Sequence, residues 1–287
     1  MKSRSIIKAT TVAIGCIVLL VACQSISQSP PGCRARSPGN AAPYEMCSAQ
    51  NFTDFRGING KIEFDQAIPV KRLFRLGKKN AGTQAAVMLH NRWPDGSQLH
   101  VAFLNDPYGL KNQVLSIANE WHTRGHANIT FAESDVAHSN VRVTFTGTGY
   151  WSLIGTQANQ EGGRPTLCLG FTSSPASTQL RRTVLHEFGH SLGLIHEHQQ
   201  PVSSIHWDAQ ACYRYYEGPP NCWTKQMVDS NVLHHYPENP AIFHTGFDEY
   251  SIMEYPVDPN LTTDHKGIDW NNDLSSLDRQ FIATVYP

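Results

Sequence analysis

Apolar and polar positions along residues 86–192 follow two periods in turn. Residues 98–103 (QLHVAF) alternate, which predicts a strand, and Asn105-Asp106-Pro107 ends it. Residues 112–124 place Val114, Leu115, Ile117, Ala118 and Trp121 at helical spacing. Short strands are predicted at 127–131 (ANITF), 140–145 (NVRVTF) and 165–171 (PTLCLGF). Residues 146–158 (TGTGYWSLIGTQA) read as a glycine-punctuated loop running into apolar sequence. A helix is predicted from residue 177 or 178 to 193, opened by the serines and Pro175 of 173–177. Leu185, Phe188 and Leu192 share its core face, while His186 and His190, one turn apart, share another. Gly193 can take a positive φ, ending the helix and turning the chain. A long aromatic-rich stretch reads as irregular. Ser275 with Asp278 three residues on then resembles a capping box opening a last helix over 276–285. Strands and helices in this order predict an α+β or mixed α/β fold.

Composition changes this picture little. The chain has 287 residues, 40% hydrophobic and 16% charged, which suits a globular domain with a sizeable core. A net charge of -1 with no sizeable basic run excludes an electrostatic footprint for nucleic acid.

The amino terminus changes it more. Lys2, Arg4 and Lys8 precede an uncharged run over 9–22 that suits a signal peptide and is too short to span a bilayer comfortably. Leu20-Val21-Ala22-Cys23 resembles a bacterial lipobox. That resemblance implies removal of residues 1–22 and lipidation of Cys23, hence a membrane anchor. Gln24 after Cys23 leans toward the outer membrane or cell surface. The alternative is an ordinary secretory signal, cut nearby, giving a secreted protein. Both predict an extracytoplasmic protein. Residues 23–55, rich in Ser, Pro, Gly, Ala and Gln, read as a flexible tether. Residues 56–85 read as a strand pair or as a pro-segment covering the site, leaving 86–287 as the main domain. Of the seven cysteines, Cys212 with Cys222 and Cys33 with Cys47 are candidate disulfides in an oxidising compartment, leaving Cys168 free.

The chemistry concentrates in HEFGHSLGLIHEH, residues 186–198. Histidines one helical turn apart can reach one ion, and zinc takes about four ligands, one of them water in a catalytic site. His186 and His190 meet the first need. The turn at Gly193 brings back His196 as the third ligand. Glu187 is placed to hydrogen-bond the bound water as general base. A bare HExxH arises by chance in unrelated chains. The longer HExxHxxGxxH, with a helical core face beneath it, does so far less.

HExxHxxGxxH is the metzincin signature, and Glu197 directly after the third histidine resembles the astacin family. Tyr250-Ser251-Ile252-Met253-Glu254-Tyr255 resembles that family's Met-turn. The resemblance covers 86–287, and residues 149–155 also resemble the family segment before the edge strand. It implies a twisted, mixed five-stranded sheet and an active-site helix above a zinc cleft. Below the cleft it implies a subdomain with the Met-turn and a C-terminal helix. It further implies one catalytic zinc, Met253 packing beneath the ligands, and Tyr255 as a fifth ligand that can swing aside and stabilise the oxyanion. The implied activity is that of a metalloendopeptidase, with Glu187 as base and an extended protein or peptide substrate added to an edge strand near 165–171. A monomer is expected. The S1′ pocket is expected near the Met-turn and 205–250, including Tyr213, Tyr215 and Tyr216 or their neighbours. Alternatives are a catalytically inactive zinc-containing peptide-binding protein, and a serralysin- or matrixin-like metzincin of different specificity. Two departures stand out: Gln199-Gln200-Pro201 replaces the family's usual Arg-Pro-Asp-Arg continuation, and Glu254 stands where histidine is frequent. In astacins the glutamate at the Glu197 position engages the mature amino terminus. Acylation of Cys23 would block that amine far upstream.

Overall fold

The computed structural model describes residues 85–147, 149–218 and 221–287. The expectations for the signal peptide, the tether, the pro-segment, Cys23, Cys33 and Cys47 lie outside the described residues. No helix among the described residues is long and apolar enough to cross a membrane.

Five strands make the main sheet: β2 (Gln98–Phe103), β3 (Thr130–Glu133), β4 (Val141–Thr144), β5 (Gly149–Ser152) and β6 (Leu167–Gly170). Their order is β3-β2-β4-β6-β5. The first four are parallel neighbours, and β5 alone runs antiparallel, against β6. The expected mixed five-stranded sheet is present, with one correction. Residues 165–171 hold an inner strand, and the edge strand lies in the stretch read as a loop. Only four residues of that stretch pair, and its flanking glycines mask so short a pattern. Buried Arg142 then fixes the backbone after β5 by donating to the carbonyls of Ala158 and Arg164, and it also donates to the Ser139 carbonyl just before β4.

Helix α1 (Lys111–Ala118) and the short α2 (Glu120–Thr123) cover one end of the sheet, burying Val114, Ala118 and Trp121. Helix α3 (Ser177–Ser191) carries the histidine pair. Its predicted core face is fully buried, with Leu185, Phe188 and Leu192 each at 0% exposure. Phe188 meets Phe131 of β3 edge to face at 4.9 Å. The orphan carbonyls at the end of α3 are capped by aromatic donors. Trp93 Nε1 donates to Ser191 O at 2.7 Å, and the Tyr286 hydroxyl donates to Leu192 O at 2.6 Å. Gly193 then adopts φ +97°, where a side chain would also press on Val87. Strand β1 (Ala86–Met88) pairs antiparallel with β7 (Ile242–His244), tying the start of the domain to the region beyond the third histidine.

The stretch read as irregular holds α4 (Ala209–Glu217) and the short α5 (Lys225–Val228), which runs into a π-turn over Asp229–Leu233. The signal for α4 was an Asp208 cap followed by Ala211, Cys212, Tyr215 and Tyr216 at helical spacing. The structure shows Asp208 accepting from the backbone of Gln210 and Ala211. Tyr216 is buried in a small separate core and stacks on Trp223, which corrects its expected place in a substrate pocket. The Cys212–Cys222 bridge is also corrected. Cys212 is a free thiol inside that core, directed at the Leu261 carbonyl, because α4 turns its side chain inward. Cys222 is disulfide-bonded, and its partner is neither of the other described cysteines, since Cys168 is free as expected. The final helix, α6 (Ser276–Val285), starts with the predicted Ser275–Asp278 capping box.

Candidate metal centre and active site

The helix places His186 and His190 one turn apart, and the turn at Gly193 returns His196 to them. One ring nitrogen from each lies within 4.8 Å of the others. All three rings are buried. Each Nδ1 faces an oxygen acceptor: Ile252 O at 2.7 Å for His186, Leu194 O at 2.9 Å for His190, and the Gln199 amide oxygen at 3.2 Å for His196. An acceptor there calls for a hydrogen on Nδ1, so in the neutral ring Nε2 is a bare lone pair. Burial, reinforced by the neighbouring histidines, lowers the pKa of His186 to about 3 and drives His196 well below its usual value; burial lowers His190 to about 4. The rings are therefore held in the neutral, ligating form.

A cation between those lone pairs would relieve their crowding. Nε2 of His190 and of His196 are 3.0 Å apart, and Nε2 of His186 is buried with no hydrogen-bond partner among the described residues. Two imidazole nitrogens on one tetrahedral zinc would sit about 3.3 Å apart. The donor set, its tautomers and its spacing all fit zinc.

The Met-turn completes the centre from below. Met253 is fully buried, and its sulfur packs against Gly189, between the two helical histidines, where any larger residue would clash. The carbonyl that orients His186 belongs to the preceding Ile252. Tyr255 brings its hydroxyl to 2.7 Å from His196 Nε2. Glu187 is buried beside His186. Burial first, and then the Glu187 charge, push the Cys168 thiol of β6 up to about 12.

Glu197 turns away from the histidines. It accepts from the Asp248 backbone at 2.7 Å and from the Gln200 amide, and its other oxygen has no partner among the described residues. Burial holds its carboxyl well above the usual range, against the opposing Asp248 hydrogen bond. His198 faces Glu254 instead. Sequence reading missed the orienting groups Ile252 O, Leu194 O and Gln199. Two are backbone carbonyls and carry no residue signature. Gln199, three residues after His196, left a faint one.

A paired helix-borne histidine motif, a third histidine beyond a glycine turn and a methionine beneath them define a metzincin-type zinc centre. Residues 86–265 match the family model of the Astacin peptidases, and the chain belongs to that family. A solved structure of myroilysin is similar at 40% identity and a TM-score of 0.67, over 70% of this chain and 98% of that one. A second myroilysin structure matches at 39% identity and a TM-score of 0.52, over 69% of this chain and 86% of that one. The zinc metalloproteinase nas-17 of Caenorhabditis elegans is 29% identical over 150 residues. That match covers 52% of this chain and 32% of the relative, so the chain spans about a third of the length of that curated protein.

Proposed function

We propose that the chain is a zinc-dependent endopeptidase that hydrolyses peptide bonds in extended segments of extracytoplasmic proteins. The convergence of three neutral imidazoles on one point, each fixed through its other nitrogen, carries this reading. His186, His190 and His196 would hold the zinc, which when bound would supply a Lewis acid to lower the pKa of a water and polarise the scissile carbonyl. Glu187 takes the proton from the attacking water and returns it to the leaving amine. Tyr255, with its hydroxyl beside His196, donates to the oxyanion of the tetrahedral intermediate. Met253 gives the histidines a packed floor. The outer strand β5 offers the line along which an extended substrate adds by backbone pairing.

Replacing Glu187 with Gln tests the core of this reading. Cleavage of a mixed peptide library is expected to fall by ~100- to 10,000-fold while zinc stays at one per chain by elemental analysis. Cleavage at the parent rate would remove Glu187 from its role. An intact library with the parent protein would instead favour a zinc-containing binding protein. Chelation is expected to abolish cleavage, and added zinc to restore it.

Location follows from two supports: the lipobox-like run ending at Cys23, and a disulfide at Cys222, a bond that persists in oxidising compartments. Cys23 is read as the lipidated residue and membrane anchor. Labelled palmitate is expected in the parent chain and absent after Cys23→Ser. Equal labelling of both would sink the anchor.

A further inference from the structure

The centre contains a buried polar pair that zinc binding does not need. His198 and Glu254 are 1% and 0% exposed at their side chains, and Nδ1 of one lies 3.6 Å from Oε1 of the other. That is close for a charge but too long for a hydrogen bond. His198 Nδ1 and Glu254 Oε2 both lack hydrogen-bond partners among the described residues. Each such orphan destabilises the fold, and an apolar pair of similar shape would often be neutral or stabilising at a buried site. Stability alone does not explain two polar side chains here.

Their contacts converge on one residue. Glu254 Oε1 accepts the backbone N–H of Tyr255 at 2.8 Å. The His198 ring lies 5.3 Å from the Tyr255 ring and stacks at 5.3 Å on His196. His198 is itself anchored on its far side, where Nε2 donates to Asn231 O at 2.9 Å and Trp207 backs the ring edge to face. Asn231 lies in the π-turn, and its amide is tied to Met227 O at 3.0 Å. One buried pair thus links the π-turn to the Met-turn and meets both the backbone and the ring of Tyr255.

We infer that His198 and Glu254 are a positioning pair that fixes the backbone and ring of Tyr255, setting where its hydroxyl stands in the proposed reaction. The inference rests on the donor role proposed for Tyr255. The pair acts through the tyrosine. Glu254 holds the peptide N–H, and His198 limits how far the ring can tilt away from His196.

A double-mutant cycle on the full chain tests this, with kcat and KM measured on one fluorogenic peptide taken from the library. Glu254→Leu is expected to lower kcat by ~10- to 100-fold, the scale of a small misplacement of a reacting group. KM and zinc content are expected to hold. Glu254→Gln, which keeps an oxygen for the Tyr255 N–H, is expected to recover most of the loss. In a Tyr255→Phe background, Glu254→Leu is expected to change kcat by less than ~2-fold, because coupled residues are not additive. Equal losses in both backgrounds, or a loss that follows zinc content, would overturn the positioning role while leaving the tyrosine in place. Parent kcat in Tyr255→Phe alone would remove the tyrosine's own role, and the pair's with it. His198→Phe keeps the ring and removes the polar edge, so it repeats the cycle if Glu254→Leu does not fold.

Discussion

The sheet half of the molecule, residues 85–195, and the half beyond His196 are held together by different physics. In the first half, backbone groups pair in strand ladders and α3, and the side chains between them are mostly apolar and buried. In the second half regular elements are few, and side-chain carboxylates take the backbone N–H groups. Asp278 accepts from Ile252 N, Ser275 N and the Ser251 hydroxyl. Glu197 accepts from Asp248 N, and Asp248 from Tyr250 N and the Ser275 hydroxyl. The zinc centre lies on the seam, with its helical histidines on the first half and their support, Ile252 O and Met253, on the second. The comparison teaches that a rigid loop leans on buried acids where a sheet leans mainly on apolar side chains.

The largest expected effect comes from the apolar half. Phe188→Ala should cost ~3–5 kcal/mol by denaturant unfolding, because it opens a cavity under α3. A loss below that of the acid variants would reverse the contrast between the halves. Next is Asp278→Asn, expected to cost ~1–3 kcal/mol because an amide nitrogen then faces donors that need an acceptor. This variant should also weaken activity through Ile252, whose carbonyl orients His186. Burial raises the Asp278 carboxyl to about 6 from 3.8, against its hydrogen bonds to Ser251, Ile252 and Ser275. The folded chain therefore binds that proton more tightly than the unfolded chain does. Its contribution is full below about pH 3.8 and is lost as pH rises through about 6. Asp278→Asn should flatten the pH dependence of stability across that window, and an unchanged slope would contradict the assignment.

Gly193→Ala is expected to cost ~1–3 kcal/mol, from the positive φ and contact with Val87, and to lower zinc affinity by displacing His196. Zinc competition with a chromogenic chelator would measure it. The smallest effect sharpens the comparison from outside. Arg124 and Arg181 bridge Glu120 and Asp273 on the surface, where solvent screens them. Arg124→Ala should change stability by less than ~1 kcal/mol, so ion pairs in view count for less than buried acids in loops.

The two halves also differed in how far the sequence disclosed them. The period of α1 and of α3, the core face Leu185, Phe188 and Leu192, the strands β2 and β4, and the cap of α6 were all legible. They are local patterns imposed by burial on one side. The edge strand β5 and helix α4 were not, because one is short and glycine-flanked and the other mixes aromatic with polar residues. The ligand set was legible because one helical turn and one glycine fix it within eleven positions.

What the sequence alone determined, then, is the chemistry of the centre: three histidines, a glutamate between two of them, and a glycine to close the turn. Only the tertiary structure decided which nitrogen of each ring faces inward, since carbonyls of Ile252 and Leu194 and the side chain of Gln199 make that choice. It likewise decided that Cys212 stays a thiol, that β5 is the outer strand, and that His198 meets Glu254 across the Met-turn. Those outcomes depend on groups far apart in the chain, many of them backbone atoms common to every residue, and such groups leave no mark in a sequence.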